Sequence, residues 1–233
     1  NKVGVYVCEN RILGSKNIRR NSPKSTIIFD DVFQHRKIKP SLSILTTPYG
    51  DPFFTDYILP VGRLREPRLS AHRADCIVVT KCPEALTDED YNKVKNKLSK
   101  FSKPIFFSHI EYGEMKPMKE RIHDIKNILL VTGIVDPSHL IEHLKDKYKI
   151  QSISFRDHHD FTVKDIEKIH EKFGTFDPKD SIILTTEKDK VRLSKFDELI
   201  AQNGALWYYQ PISIRIHDKA QFESLIKEHV RKI

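Results

Sequence analysis

The residues 30–36, DDVFQHR, have the types and spacing of a cation site. Asp30 and Asp31 directly follow the apolar run STIIF at 25–29, and Gln34 and His35 come just after them. Two neighbouring carboxylates at the end of a buried strand are costly unless a cation or a hydrogen-bond network compensates them. The usual cation is Mg²⁺, and its usual role is to hold a nucleotide phosphate. The alternative is a strand-end turn closed by an aspartate side chain.

A second group, DHHD at 157–160, combines imidazole and carboxylate side chains. A histidine beside a carboxylate suits a general base or the partner of one. Adjacent side chains on an extended segment diverge, so we expect only one histidine to act. One alternative is a polar turn that caps the following helix. Another is a manganese phosphoesterase, which would need further Asp and His ligands around two metals about 4 Å apart.

Two further groups are less specific. Arg63, Arg65 and Glu66 lie in GRLREP, and arginine is the best side chain for bidentate contact with phosphate. The alternative for this group is an ordinary surface ion pair. Residues 185–189, TTEKD, are typical of a strand-end loop with a helix cap, and the pattern gives them no specific role.

Composition narrows the class of protein. The chain has 233 residues, 39% of them hydrophobic and 31% charged, which predicts a soluble globular protein with a highly charged surface. The net charge of +8 and the basic segments 91–103 and 114–126 indicate either solvated helix faces or an anionic partner. Nucleic acid is disfavoured as that partner because no recognition motif or interleaved aromatics accompany the charge. The sequence contains neither G-x-x-x-x-G-K-[ST] nor G-x-G-x-x-G, so it does not itself supply a phosphate loop.

Strand-like and helix-like segments alternate along the chain, which predicts an α/β fold with a mainly parallel sheet. The predicted strands are 3–7, 25–29, 42–46, 75–80, 104–107, 127–133, 149–155, 181–185 and one beginning at 205. The predicted helices are 136–148 with Asp136 as N-cap and Pro137 at the first position, 161–174 capped by Thr162 and closed by Gly174, 191–202, and 218–233. In such sheets ligands bind beyond the carboxyl ends of the strands, where the polar groups above are found.

The pattern also predicts a domain division. Residues 1–115 form the first domain, 116–126 a polar linker, and 127–233 a C-terminal α/β domain. Residues 47–70 are too long and irregular for an ordinary connection, which is typical of a lid or a binding loop. The aromatic residues of this loop predict that it packs on the protein or on an apolar ligand.

Six motifs in this order resemble the tetraacyldisaccharide 4'-kinase family, the lipid A 4'-kinases of Gram-negative bacteria. They are IIFDDVFQHR at 27–36, ILPVGRLREP at 58–67, RADCIVVTK at 73–81, VTGIVDP at 131–137, FRDHHDFT at 155–162 and TTEKD at 185–189. The resemblance implies transfer of the γ-phosphate of ATP, with Mg²⁺, to the 4'-hydroxyl of a tetraacyldisaccharide 1-phosphate. It also implies a P-loop-kinase-like parallel sheet and a second, Rossmann-like α/β domain.

The resemblance assigns roles to individual residues. Asp30 and Asp31 correspond to the Walker-B-type pair, and Asp30, Asp31 and Gln34 would contact the bound nucleotide. Asp31, Gln34 and Glu66 would form the Mg²⁺ shell, and Arg65 would face the transferred phosphate. His158, steadied by Asp157, would tune the family's catalytic aspartate. Val32 stands after the Asp-Asp pair, where the family usually has glycine. Because valine disfavours positive φ, a backbone conformation that needs positive φ is disfavoured at this position.

In that family the phosphate loop, the main catalytic aspartate and a membrane helix precede the Asp-Asp motif. Only about thirty residues precede Asp30, so we expect the chain to be the C-terminal two-thirds of the enzyme, with an incomplete kinase sheet and no activity alone. The expected partners are a lipid disaccharide phosphate and the anionic cytoplasmic face of the inner membrane, with the protein a monomer that binds no nucleic acid. The alternatives are a non-catalytic lipid- or partner-binding module and a metal-dependent phosphoesterase that uses residues 157–160.

Overall fold

The chain folds into two α/β units, and each unit is built on its own sheet. The computed structural model describes residues 3–119, 124–202 and 205–231. The first unit comprises Asn1–Ile110 and Ile214–Ile233, and the second unit comprises Glu111–Ser213. The predicted α/β class with mainly parallel strands is confirmed in both units.

The first unit contains a four-stranded sheet. Its strands, in sheet order, are β1 (Ile44–Pro48), β2 (Cys76–Cys82), β3 (Ile105–Tyr112) and β9 (Ile212–Ile216), with α1 (Arg11–Asn21), α2 (Asp88–Leu98) and α7 (Lys219–Arg231) as its helices. The apolar run of β2 is buried because both faces of the sheet are covered. Leu98 and Phe101 pack against Ile77 and Val79 on one face, and Cys76 and Val78 face the other.

The second unit contains a five-stranded sheet. Its strands, in sheet order, are β4 (Lys116–Pro117), β8 (Trp207–Gln210), β7 (Ser181–Thr186), β5 (Asn127–Thr132) and β6 (Lys149–Ser154), with the helices α3 (Ser138–Leu144), α4 (Val163–Phe173), α5 (Glu187–Leu193) and α6 (Asp197–Gln202). All pairs are parallel except β4 with β8. Leu129 and Val131 pack with α4 on one face of the central strand, and Ile128 and Leu130 pack with α3 on the other.

Two of the predicted strands are wrong. Residues 3–7 and 25–29 form no strand, and their apolar side chains, such as Val5 and Ile28, are exposed. A strand persists only where a neighbouring strand pairs with its backbone and another layer covers its side chains. Within the described part of the chain these two segments have no pairing strand, so apolar content alone overpredicts them. The residues between them instead form α1, which the strand–helix pattern missed.

The last part of the chain folds with the first unit, which corrects the predicted C-terminal domain of 127–233. β9 lies beside β3, and Phe222 of α7 packs on Phe106 with ring centroids 5.0 Å apart. Packing of the apolar face of this amphipathic helix on the sheet, rather than closeness in sequence, decides where the helix folds. Of the predicted linker 116–126, Lys116–Pro117 form β4, and residues 120–123 lie outside the described residues.

Helix termini follow their capping residues closely. Thr162 accepts a hydrogen bond from the Asp165 N–H, and the Asp165 carboxylate accepts one from the Thr162 N–H, which confirms the predicted cap of α4. The Asp136 carboxylate accepts the Ser138 N–H at 2.9 Å, but α3 begins at Ser138, one residue later than predicted. No helix in the described segments is both long enough and apolar enough to cross a bilayer.

We expect the second unit to lose stability as the pH falls, because of one half-buried imidazole. Trp207 donates its indole N–H to Nε2 of His170 at 3.1 Å, and burial lowers the pKa of His170. As the pH falls below about 6.5, the unfolded chain therefore binds the proton before the folded chain does. The stabilisation is complete above that pH and is lost below it.

The test is the melting temperature between about pH 7.5 and about pH 5. In His170→Gln the amide oxygen can still accept a hydrogen bond from Trp207 but does not titrate. The melting temperature of this variant should therefore fall less than that of the parent chain as the pH is lowered. His139→Gln on the exposed face of α3 is the matched control and should follow the parent chain. If the His170→Gln and parent curves are parallel, this explanation is wrong.

Candidate functional site

The residues 30–36 form an irregular turn and not the end of a strand. Asp31 has a φ of 47°, in the left-handed region, and its Oδ2 lies 3.5 Å from Nη1 of Arg65. Both side chains are exposed. The residue with positive φ is therefore Asp31 and not Val32, which occupies the position where the family usually has glycine. Aspartate tolerates this conformation better than valine does, which explains why valine can follow it.

Arg73 joins the two motifs of the first unit. Its Nη1 donates to Oε2 of Glu66 at 2.6 Å, and its Nη2 donates to the carbonyl oxygen of Phe33 at 2.9 Å. Its guanidinium also lies 4.5 Å above the Phe33 ring. The hydrogen bond from Arg73 holds the pKa of Glu66 below its usual value. Arg73 thus holds the DDVFQH segment against the GRLREP segment. The sequence did not predict this role, although the motif RADCIVVTK begins with Arg73.

The carbonyl oxygen of Gln34 supports the predicted cation site. Gln34 Oε1 is buried and has no hydrogen-bond partner among the described residues. A buried acceptor left unpaired is costly, and a hard cation with oxygen ligands would satisfy it. Asp30 is exposed, and one oxygen of Glu66 is held by Arg73. The residues that fit Mg²⁺ best are therefore Asp31 and Gln34.

In the second unit, three motifs meet at the carboxyl ends of adjacent parallel strands. VTGIVDP follows β5, FRDHHDFT follows β6 and TTEKD follows β7. This is the edge at which open parallel sheets bind ligands. The sequence predicts that polar groups gather at this edge, and the three motifs do so. Within the described part of the chain, no group of three or more His, Cys, Asp or Glu side chains could hold a metal ion.

Asp189 connects these motifs as a fully buried carboxylate. Its Oδ2 accepts the Gly133 N–H at 2.9 Å and the Thr186 hydroxyl at 2.8 Å, and its Oδ1 accepts from Arg192 at 3.2 Å. A Cβ at Gly133 would lie 3.1 Å from Oδ1 of Asp189, so glycine permits the close approach. Asp189 thus provides the structural role for TTEKD that the pattern did not reveal.

The predicted pair Asp157 and His158 is surrounded by cations from α5. Lys188 donates to Asp157 at 3.0 Å, and this hydrogen bond lowers the pKa of the Asp157 carboxyl. Nη2 of Arg192 lies 2.8 Å from Nδ1 of His158, and Nε2 of His158 lies 3.5 Å from Asp157 Oδ2 and 3.4 Å from Lys188 Nζ. His158 has a φ of 58°, the left-handed conformation that histidine tolerates.

The two adjacent histidines diverge, as expected. His158 is exposed, whereas His159 turns inward, stacks on Phe155 and lies 3.0 Å from the Asp165 carboxylate. Because Asp165 also caps α4, the predicted alternative of a helix-capping turn describes His159 correctly. The phosphoesterase alternative gains no support, because it needs several Asp and His ligands around two metals and the described residues contain no such group of three or more.

The structure thus brings the predicted site residues together in two sets. Asp31 lies beside Arg65 in the first unit. Arg73 links Glu66 to the DDVFQH segment, because it contacts both Glu66 and the Phe33 carbonyl. Asp157 lies beside His158 in the second unit. The sequence did not predict the structural roles of Arg73, Lys188, Asp189 and Arg192. The first three of these residues lie within the six motifs, and Arg192 does not.

Comparison with known proteins identifies the family. A family model described as tetraacyldisaccharide-1-P 4'-kinase matches residues 1–231. The chain belongs to this family. The resemblance inferred from the six motifs is therefore confirmed.

Named members of the tetraacyldisaccharide-1-P 4'-kinase family are longer than this chain. The tetraacyldisaccharide 4'-kinase of Bacteroides thetaiotaomicron is 37% identical to it over 99% of the chain and 66% of its own length. That of Flavobacterium johnsoniae is 37% identical over 99% of the chain and 67% of its own length. The chain thus spans about two-thirds of these relatives.

A solved structure shares the fold. The crystal structure of the Aquifex aeolicus member, described as in complex with ATP, superposes with a TM-score of 0.62 at 24% identity. The match covers 95% of this chain and 63% of that one.

Arg73 should control the order of the DDVFQH turn. Both Arg73→Gln and Arg73→Lys remove the planar guanidinium that reaches Glu66 and the Phe33 carbonyl together. We expect amide hydrogen exchange at residues 33–36 to accelerate and the free energy of unfolding to fall by about 1–3 kcal/mol. Arg20→Gln, in the exposed helix α1, is the control and should change neither. Unaltered exchange at 33–36 in both Arg73 variants would contradict the role assigned to Arg73.

Removal of the Asp189 carboxylate should destabilise the second unit. Asp189→Ala leaves the Gly133 N–H and Arg192 without their acceptor, so we expect the free energy of unfolding to fall by about 3 kcal/mol. Glu187 is exposed and lies two residues before Asp189, so Glu187→Ala should lower the free energy of unfolding by less than about 1 kcal/mol. Chemical denaturation measures both. Equal effects of the two substitutions would show that Asp189 does not hold the three motifs together.

Proposed function

We propose that the protein is an ATP-dependent lipid kinase that phosphorylates the 4'-hydroxyl of a tetraacyldisaccharide 1-phosphate. The observation that carries the proposal is the family match over residues 1–231, with relatives of that name at up to 37% identity. The geometry of both clusters is compatible with this activity. Because the chain spans about two-thirds of those relatives, the activity is proposed for the whole protein.

In the first unit, Asp31 and Gln34 would hold Mg²⁺ beside the nucleotide, with Asp30 next to them. Bound there, Mg²⁺ would neutralise charge on the phosphate oxygens. Arg65 would stabilise the transferred phosphoryl group, because its exposed guanidinium already contacts the Asp31 carboxylate and can contact phosphate in two places. Glu66, fixed by Arg73, would keep this loop in place and contribute its remaining carboxylate oxygen to the Mg²⁺ shell.

In the second unit, Asp157 and His158 would serve proton transfer and positioning. Arg192, whose Nη2 lies 2.8 Å from Nδ1, would orient the His158 ring. The cationic groups of Lys188 and Arg192 favour an anionic reactant near these residues. The lysine also keeps the Asp157 carboxylate ionised, since it lowers the pKa of that group.

The finer architecture is part of the proposal. The first unit would be part of a P-loop-kinase-like sheet, and the second unit a Rossmann-like domain, as the resemblance implies. The protein would act as a monomer on the cytoplasmic face of the inner membrane. A substrate with four acyl chains stays in the bilayer, which supports a membrane location.

The proposal can be tested with a chimera in which this chain replaces the corresponding part of the Bacteroides thetaiotaomicron relative. We expect transfer of ³²P from ATP to the disaccharide 1-phosphate, and Asp31→Asn should reduce the rate at least about a hundredfold. Asp51→Asn, which alters a carboxylate paired with Arg63, is the matched control and should retain activity.

The chain alone should not transfer phosphate, because its 233 residues contain no phosphate-loop motif. A correctly folded chimera without lipid kinase activity would contradict the proposed function. Equal activity of the Asp31→Asn variant and the parent chimera would contradict the role of Asp31.

A further inference from the structure

The loop 47–70 divides into a half-buried base and an exposed apolar tip. Tyr49, Phe53 and Phe54 are half-buried and pack against the core of the first unit. The tip, Tyr57–Val61, is exposed. Its large apolar side chains expose 62% at Tyr57, 47% at Ile58, 57% at Leu59 and 82% at Val61. Single exposed apolar residues are common, but four within five positions form a patch that indicates a binding surface.

The apolar tip is held in this exposed position by its own backbone. The Leu59 N–H donates to the Leu64 carbonyl at 2.9 Å, and the Leu64 N–H donates to the Tyr57 carbonyl at 3.0 Å. Asp56 accepts the Tyr57 N–H at 2.7 Å. A Cβ at Gly62 would lie 2.2 Å from the Tyr57 carbonyl oxygen, so only glycine fits beneath the tip. The exposure is therefore a feature of an ordered turn.

Arginines flank the apolar tip on its C-terminal side. Between residues 57 and 73 the sequence has four arginines and one acidic residue, Glu66, whose carboxylate is bound by Arg73. Arg63 and Arg65 are exposed, while Arg68 covers the Tyr57 ring at 4.8 Å. Asp51 and Asp56, before the tip, pair with Arg63. Counted with these two aspartates, residues 51–73 carry four arginines and three acidic residues, so the flank of the tip has a small net positive charge that complements an anionic surface.

We propose that the apolar tip inserts into the interface of a bilayer that contains anionic lipid. The aliphatic side chains would enter the boundary between headgroups and acyl chains, and Arg63 and Arg68 would contact lipid phosphates. A bilayer accounts for both the aliphatic tip and its cationic flank. The inference rests on the proposed function, because an acceptor with four acyl chains must be reached at the membrane surface.

The test places a fluorescent reporter in the tip. The chain has a single tryptophan, Trp207, which is buried, so Val61→Trp adds one reporter at the exposed tip. Val135→Trp, at an equally exposed valine of the second unit, is the matched control. Each variant is titrated with vesicles of phosphatidylcholine, alone or mixed with phosphatidylglycerol. Acrylamide quenching reports whether the added indole leaves water.

We expect a blue shift and protection from acrylamide only for Val61→Trp and only with phosphatidylglycerol, weakened by salt. The double variant Leu59→Ser/Val61→Ser should bind these vesicles about tenfold more weakly, whereas Val135→Ser/Val191→Ser should bind within about twofold. Vesicle binding without any change at residue 61 would overturn the inference, as would no binding at all. A blue shift that grows with protein concentration without vesicles would instead assign the tip to a second copy of the chain.

The outcome is independent of phosphate transfer, because the vesicles contain neither ATP nor a disaccharide acceptor. A chimera that phosphorylates its lipid while residue 61 stays in water would overturn only this inference. Insertion of the tip in a protein without kinase activity would overturn only the proposed function.

Discussion

The buried carboxylate of Asp189 is the interaction on which the second unit's candidate site depends. A carboxylate without solvent is tolerated only when donors surround it, and here a backbone N–H, a hydroxyl and a guanidinium do so. These donors come from the segment after β5, the end of β7 and helix α5. The second guanidinium nitrogen of Arg192 then reaches His158. The orientation of an exposed imidazole thus follows from a group that has no contact with water.

Arg73 has a comparable role in the first unit with different energetics. It is only partly buried, so its ion pair with Glu66 is screened and contributes modestly to stability. Its main contribution is geometric, because one planar guanidinium contacts a carboxylate, a backbone carbonyl and an aromatic face at once. Two segments separated by about thirty residues are therefore held in one arrangement, although neither is part of a helix or strand.

Much of the second unit could be predicted from sequence because its signals are local. The continuous apolar run of β5 and the Thr162–Asp165 cap require only neighbouring residues, and both were recognisable. In the first unit, the apolar runs 3–7 and 25–29 look the same as β2, yet only β2 has paired neighbours and two covering layers. The contacts of Arg73 and Lys188 join residues 30 or more positions apart, and no local pattern encodes such pairs.

Backbone conformation explains why the residue types at the site were predicted better than their geometry. The sequence predicts that Asp30 and Asp31 stand at the end of a buried strand, which assumes extended backbone. Asp31 and His158 instead both adopt positive φ, where the chain reverses locally and the side chain leaves a turn. Such turns carry Asp31 to Arg65 and His158 to Arg192. Aspartate and histidine are among the few residues that tolerate this conformation, so the same side chains can supply both the turn and the chemistry.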